Sequence, residues 1–183
     1  MKNDEKAVTR RQYLTFLLSN EEYAVDVLSV KEIIEYGDVT KVPGTPFHVR
    51  GVINLRGSVV PVVDLAVKLG REESPLSRRS CIVIVETGAH GERVVTGVVA
   101  DAVNQVIEFS PDDIEAPPAF GTGVRLHYLD GIAKTGAAFV LVLNMDSVLG
   151  DDTRNAFGGT RAAEPAEPDP VPVTTPVPAP AST

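Results

Sequence analysis

Apolar and polar residues alternate along most of the first 150 residues, and one such pattern occurs twice. The stretch Gly51–Leu65 (GVINLRGSVVPVVDL) returns as Gly131–Met145 (GIAKTGAAFVLVLNM), each with a leading glycine, a central turn and an apolar run. Upstream, Val30–Tyr36 (VKEIIEY) matches Val103–Phe109 (VNQVIEF). Successive side chains of a strand point to opposite faces, so this period predicts half-buried β-strands. The repeat predicts two similar β modules with a seam between them.

The start of the first module predicts a hairpin. Two β-rich runs, YLTFLL and YAVDV, flank the short polar connection SNEE, which is the usual sequence pattern of two paired strands. Directly after it, the spacing of Val27, Val30, Ile33 and Ile34 fits one helical turn and fits a bent strand nearly as well. A short apolar run does not separate these two alternatives.

The middle of the first module carries turn and helix signals. Thr45 followed by Pro46 predicts a capped start of a short helix, which Gly51 would end. Strands are predicted on both sides of the turn at 56–58, where a glycine can adopt a positive φ. Pro61 lacks a backbone donor and therefore predicts a strand edge or a bulge.

The second module repeats this organisation, and both ends of the chain differ from it. Strands are predicted at CIVIVETG, VVTGVVADAV and FVLVL, with a hairpin turn at GAHGER and a loop at APPAFGTG. The two repeat units cover roughly residues 12–70 and 80–150, after a flexible arm over residues 1–11. Residues 151–183 are rich in Pro, Ala and acidic residues. A segment of this composition buries too little apolar surface to offset the conformational entropy lost on ordering, so we expect a disordered, extended tail.

Composition narrows the class of protein. Apolar residues make up 43% of the chain and aromatic residues 5%, with no Trp, so the core is expected to consist of Val, Ile and Leu in a mainly β fold. The net charge of −8 argues against nucleic-acid binding, which depends on Lys and Arg. A single cysteine, Cys81, fits a reducing cytoplasm and is expected to be buried rather than reactive. No signal peptide is recognisable, and no apolar run has the length of a membrane span.

Little in the chain indicates catalysis, a cofactor or a metal. The three histidines, His48, His90 and His127, have no metal-ligand spacing to one another or to the cysteine. No nucleophile-elbow, phosphate-loop or zinc-protease motif occurs. We therefore expect neither a cofactor nor a metal.

Two carboxylate pairs could in principle serve as an acid and a base. They are Asp26 with Asp64, and Asp101 with Asp130, and each aspartate falls in a turn or at a strand end. Aspartate is common at such positions because it forms local hydrogen bonds with the backbone. The turn interpretation is favoured over the catalytic one.

Glu32 and Arg56 are set apart by the repeat. Both lie where an apolar strand gives way to a turn, and their counterparts in the second unit are Gln105 and Gly136. A residue needed only for folding would be expected in both copies, which favours a function on one face. The alternative is a surface ion pair of small energetic value.

Several segments resemble one known family. They are YAVDVLSVKEI, VPGTPFHVRGVINLRGSVVPVVDL, RVVTGVVADAVNQV and YLDGI, and they are similar to the CheW family of bacterial chemotaxis coupling proteins from about Gln12 to Gly150. The resemblance implies two intertwined SH3-like β-barrel subdomains with a hydrophobic seam. It also implies a cytoplasmic, non-catalytic adaptor that couples chemoreceptor tips to the regulatory domain of the histidine kinase CheA and does not itself insert into the membrane.

The same resemblance implies partner-binding positions. Contacts with the kinase or the receptor are expected at residues matching the family's motifs: Val30, Glu32, Ile33, Gly51, Val52, Asn54, Arg56 and Gly57. The receptor helix is expected along a groove beside Val103 and Val106, and a ring contact at Phe120. At Glu115 some relatives carry a basic residue, so this chain departs from the family pattern there.

Three alternatives remain open at this stage. One is a CheW-like coupling protein of another chemosensory system, such as twitching or surface sensing. A second is a small β-barrel hydrolase using Asp26 or Asp101. The third is an adaptor that acts through its proline-rich tail, although no Arg or Lys flanks the proline motifs there.

Overall fold

The computed structural model describes residues 10–88, 93–117, 126–136 and 138–150. The elements of this part of the chain are mostly strands, with two short α-helices and three 3-10 turns. The strands are β1 (Arg11–Leu18), β2 (Glu21–Asp26), β3 (Val30–Glu35), β4 (Val49–Leu55), β5 (Ser58–Asp64), β6 (Cys81–Thr87), β7 (Val94–Ala100), β8 (Ala102–Phe109), β9 (Ile114–Glu115), β10 (Leu129–Thr135) and β11 (Ala138–Leu143). The helices are α1 (Leu65–Lys68) and α2 (Met145–Leu149), and the 3-10 turns are Val27–Ser29, Pro111–Asp113 and Leu126–Tyr128.

The strands form two sheets that exchange a hairpin. The first barrel contains the sheet β3-β6-β7-β5-β4, and the second contains β8-β1-β2-β11-β10-β9. The hairpin β1-β2 of the first repeat unit thus lies in the second barrel, while β6-β7 of the second unit lies in the first. The predicted fold class, two intertwined β-barrels, is confirmed.

Three apolar clusters make up the core of the described residues. One fills the first barrel around Ile53, Val62 and Ile84, and another fills the second barrel around Tyr13 and Val140. The largest cluster lies between the barrels and draws on both, including Phe16, Tyr23, Val83, Leu129 and Val148. The hydrophobic seam that the repeat predicted is this central cluster.

The exchanged strands explain why some runs are apolar without alternation. On β6, Ile82 and Ile84 face the interior of the first barrel, whereas Val83 and Val85 face the central cluster. Both faces of the strand are buried, so both must be apolar. The run CIVIV is the result.

Two glycines allow a neighbouring strand to cross closely at equivalent places. Gly51 and Gly131 each follow a bulge in β4 or β10. A Cβ atom on Gly51 would lie 2.1 Å from the carbonyl oxygen of Thr40, and one on Gly131 would lie 2.8 Å from that of Glu115. Thr40 and Glu115 in turn pair with Val52 and Ile132. The glycine that begins each copy of the repeat is therefore required by backbone packing.

The first hairpin is confirmed, with a tighter turn than expected. Ser19 and Asn20 alone form the turn, both with positive φ, and the two glutamates that follow belong to β2. The segment after it contains both of the structures left open by the sequence: a 3-10 turn at Val27–Ser29 and then the strand β3. The first strand begins at Arg11, the last residue of the predicted arm and one residue earlier than expected.

The short helix predicted at Pro46 is wrong. The N–H of Val49 donates to the carbonyl of Pro46 in a single turn, and Val49 already pairs with Val63. The hydroxyl of Thr45 donates to the carbonyl of Val42, so it does not accept a hydrogen bond as a helix cap would. The pairing of Val49 with Val63 at the start of β4 therefore outweighs the local helix signal of Thr45 and Pro46.

Pro61 lies within a strand of the sheet interior, at a place where no donor is needed. It faces Val52 across the β4–β5 ladder, and Val52 exchanges both of its backbone hydrogen bonds with Thr40 on its other side. Pairing of β5 with β7 begins only at Val62. The strand is therefore locally an edge at Pro61, in agreement with the expectation.

Some expectations concern residues outside those that the structure describes. These are the arm over residues 1–9, most of the turn between β6 and β7, the loop containing Phe120, and the tail over residues 151–183. In the described part of the chain, no helix is long and apolar enough to cross a membrane. The unit boundaries derived from the repeat remain predictions.

We expect Gly51→Ala to lower the free energy of unfolding by about 3 kcal/mol or more, because the added methyl group meets backbone that cannot move aside. Gly70→Ala is the control, since Gly70 also has a positive φ but has open space around it, and strain alone costs about 1 to 2 kcal/mol. Urea unfolding followed by circular dichroism measures both. Equal losses in the two variants would contradict the close-crossing role of Gly51.

Candidate partner-binding surfaces

The β4–β5 turn holds Arg56 in a left-handed conformation. Arg56 and Gly57 have φ values of 53° and 91°, and the flanking residues Leu55 and Ser58 pair directly. This is the two-residue turn in which both central residues need positive φ. The side-chain oxygen of Asn54 accepts a hydrogen bond from the Gly57 N–H at 2.8 Å. Asn54 therefore fixes the turn that presents Arg56.

Arg56 and Glu32 are in direct contact. A guanidinium nitrogen of Arg56 lies 2.9 Å from a carboxylate oxygen of Glu32, and the two side chains are 80% and 27% exposed respectively. The contact joins the β4–β5 turn to β3, and β3 and β4 are the two end strands of their sheet. At this exposure the pair contributes between zero and about 1 kcal/mol to stability.

The second unit has a glycine at the equivalent position of its β10–β11 turn. Gly136 occupies the position of Arg56, with a φ of 61°, a conformation that glycine adopts freely and arginine does not. A two-residue turn therefore does not require arginine. A non-glycine residue held in the left-handed conformation is strained, and such residues are frequent at functional sites. The backbone conformation of Arg56 therefore favours its functional interpretation.

The expected contact residues of β3 and β8 occupy equivalent positions in different sheets. Val30 and Val103 are half-buried, and both pack against the central cluster. Ile33 and Val106 are exposed on the same two strands. The central cluster therefore reaches the surface beside both strands.

The other expected site residues divide into two groups. The structure gathers Glu32, Asn54, Arg56 and Gly57 around one turn. Gly51 is buried, and the close approach of Thr40 explains why a glycine is needed there. A partner protein would not contact Gly51 directly, so any effect of this residue on binding would come through the shape of β4. Val52 is half-buried and paired on both sides. Phe120 lies outside the described residues, so its role stays a prediction.

Sequence reasoning missed several exposed apolar side chains. Val59 on β5 and Phe139 on β11 occupy equivalent positions in the repeat and are 74% and 62% exposed. Leu28 and Phe47, in the connections before β3 and β4, are exposed as well. The repeat could have identified Val59 and Phe139, because both are apolar residues at the same distance after the turn, on the outward face of a strand.

Each carboxylate considered as catalytic forms a hydrogen bond or an ion pair with a neighbouring structural group. Asp26 accepts a hydrogen bond from the Leu28 N–H, and Asp101 accepts one from the Ser19 N–H. Asp64 is buried, caps α1 and pairs with Arg50, while Asp130 accepts from the amide of Asn144. These bonds support the turn interpretation of the aspartates.

Burial favours the neutral forms of three groups, Cys81, His48 and Tyr23. Burial raises the pKa of the Cys81 thiol, which disfavours the nucleophilic thiolate. Burial and the nearby Lys68 lower the pKa of His48. Burial also raises the pKa of the Tyr23 hydroxyl to about 12. None of the three shifts produces a reactive group at neutral pH.

The fold and its surfaces define a binding module: two barrels joined by a shared core, with exposed strands and turns for contacts. The chain belongs to the CheW family, because the CheW-like domain model matches residues 12–153. It is 32% identical over 142 residues to the chemotaxis protein CheW of Klebsiella aerogenes, covering 78% of this chain and 83% of that one. It is 30% identical to protein FrzA of Myxococcus xanthus, covering 72% and 79%.

A solved structure agrees with this assignment. The scaffolding protein TtCheW from Thermoanaerobacter tengcongensis superposes with a TM-score of 0.68 at 32% identity, covering 79% of this chain and 91% of that one. The likeness therefore extends over both barrels. It supports the fold class that the described residues show.

We expect Arg56→Gly to leave the free energy of unfolding unchanged or to raise it by up to about 1 kcal/mol, because it removes left-handed strain and a weak surface ion pair. Lys134→Ala is the control, since Lys134 forms an exposed pair with Glu115 in the second unit; its effect should stay within about 0.5 kcal/mol. Urea unfolding measures both variants. A loss of more than about 1.5 kcal/mol in Arg56→Gly would make the pair structural.

Proposed function

We propose that this protein is a non-catalytic scaffold that couples chemoreceptor tips to the regulatory domain of a CheA-type histidine kinase. The observation that carries the proposal is the strained, exposed Arg56 paired with Glu32, present in one unit of a fold that does not need it. Relatives named chemotaxis protein CheW and a solved scaffolding protein of the same family support it. The protein would act in the cytoplasm, held at receptor arrays by its partners.

Two separate surfaces would serve the two partners. A receptor helix would lay its apolar stripe along β8, beside Val103 and Val106, where the central cluster reaches the surface. Such a stripe repeats every three to four residues and fits a groove lined by valine and isoleucine. The kinase domain would contact the turn at Asn54, Arg56 and Gly57 together with the edge strand β3. Phe120 would add a ring contact.

Signal transfer through such a scaffold is a matter of differential affinity. A bound partner shifts a kinase between two conformations only as far as it binds one of them more tightly. Each contact alone would be of about micromolar affinity, near −8 kcal/mol. Simultaneous contacts in an array then raise the effective concentration of each partner.

A second candidate is the same coupling role in a non-flagellar chemosensory system. The similarity to FrzA of Myxococcus xanthus favours it, because that relative is as similar in identity as several of the proteins named CheW. Both candidates share the fold and the binding surfaces. Identification of the kinase that co-purifies with the protein distinguishes them.

We expect Val106→Asp to weaken binding of a receptor-tip fragment at least about tenfold, because the complex would bury an unpaired charge. Its binding of the kinase regulatory domain should stay unchanged. Arg56→Gly should do the reverse, so each variant is the control for the other. Isothermal titration calorimetry with each partner, alone and with the other at saturation, measures both effects. A kinase domain that abolishes receptor binding would rule out a bridging scaffold.

A further inference from the structure

An open slot lies between β2 and β11 in the second barrel. It has a volume of about 700 Å³, and its walls include Leu17, Glu22, Phe139 and Leu141. Leu141 also packs against the central cluster, so this wall of the slot is anchored to the core. Its lining residues include neither Arg56 nor Val106.

The slot exists because two parallel strands diverge. The ladder between β2 and β11 contains the pairs Leu141 with Tyr23 and Val142 with Ala24, whereas β11 begins earlier, at Ala138. On its other side β11 stays paired with β10 down to Ala138. The start of β11 is therefore paired on one side within the described residues.

The free side of β11 presents backbone groups at Phe139. Ala138 and Thr135 close the β10–β11 turn as direct partners, and hydrogen-bonded and non-bonded pairs alternate along an antiparallel ladder. Phe139, the next residue, therefore directs its N–H and C=O away from β10 and into the slot. An unpaired strand edge of this kind is a template for another strand.

In the first unit, the equivalent strand edge on β5 offers fewer backbone donors. Pro61 stands where the second unit has Leu141, and proline has no N–H to offer an added strand. The parallel ladder there has three pairs, from Val62 to Asp64, whereas the ladder of the second unit begins at Leu141. The unpaired start of β11 contains no proline, and the aromatic side chain of Phe139 on it is 62% exposed.

The rim of the slot selects the charge of an occupant. Glu21 and Glu22 lie along it; Glu21 is paired with Arg71, but Glu22 accepts its hydrogen bond from the neutral amide of Asn104. The cation opposite Phe139 on β10, Lys134, is paired with Glu115. The charge of Glu22 thus lacks a cationic partner among the described residues. It disfavours a second copy, which would bring its own Glu22, and it disfavours the acidic tail.

We propose that this slot binds an extended segment of a partner protein, apolar with a flanking Lys or Arg, by strand addition to β11. Main-chain hydrogen bonds to Phe139 would supply affinity, as in other cases of β-augmentation. The apolar residue would cover Phe139 and Leu141, and the basic residue would meet Glu22. This surface is additional to the two that the coupling role uses.

The test uses the full chain and a synthetic nine-residue peptide of alternating valine and threonine with lysine at both ends. Amide signals of Ala138–Leu141 and Asn20–Glu22 should shift in a two-dimensional NMR titration. Phe139→Ala should weaken binding about tenfold, while Val59→Ala, its exposed counterpart in the first unit, should leave it unchanged. A peptide with glutamate in place of lysine should bind at least about fivefold more weakly.

A third peptide separates strand addition from simple apolar contact. It carries N-methyl groups on the amides of one edge, and a matching peptide carries them on the other edge. One of the two should lose binding, because only one edge can face β11. Equal binding by both would overturn strand addition, as would shifts that map to the Arg56 turn.

Two further results would assign the slot to a different occupant and overturn the proposal. Dimerisation that Phe139→Ala abolishes would assign the slot to a second copy of this chain. Shifts of the same amide signals on removal of residues 151–183 would assign it to the tail.

Discussion

The exchange of hairpins between the two barrels is the constraint on which the rest of this structure depends. Each barrel takes two of its strands from the other repeat unit, so neither unit can complete its sheet alone. The exchanged strands β1, β2, β6 and β7 carry apolar side chains on both faces and thereby connect each barrel interior to the central cluster. Burial of apolar surface on this scale is the main favourable term in folding. The two barrels should therefore unfold together.

A shared core leaves the surface free to differ between the units. The close crossings at Gly51 and Gly131, the bulges before them and a parallel pairing of β5 or β11 occur in both units. The side chains at equivalent polar positions differ between the units. Arg50 and Asp64 form an ion pair where the second unit has a hydrogen bond between Asn144 and Asp130. Such replacements keep the cross-strand contact and change its charge.

The sequence predicted the parts of this structure that depend on local pattern. Strand alternation, the repeat and the difference between its two copies at Glu32 and Arg56 were all readable from residue order. The contact between those two side chains was not, because they are 24 residues apart and a repeat comparison gives no distances. The helix signal of Thr45 and Pro46 failed because long-range pairing of Val49 with Val63 outweighs local capping. From the residue pattern alone two modules follow; the exchange of strands was implied by the family resemblance, since either pairing satisfies the same local pattern.

The divergence of the two units also explains how one small fold can offer several surfaces. A duplicated barrel begins with two copies of every turn and every edge, which would bind the same partner twice. The two units differ in the turn, which has Arg56 in the first unit and Gly136 in the second. They also differ in the neighbouring strand, at Glu32 and Gln105, and at the strand edge, at Pro61 and Leu141. The differences at Arg56 and Glu32 lie outside the central cluster, so they can change the surface at little cost to folding, whereas Leu141 packs against that cluster. The strained conformation of Arg56 fits this view, because the fold provides the turn and a binding requirement then selects the side chain.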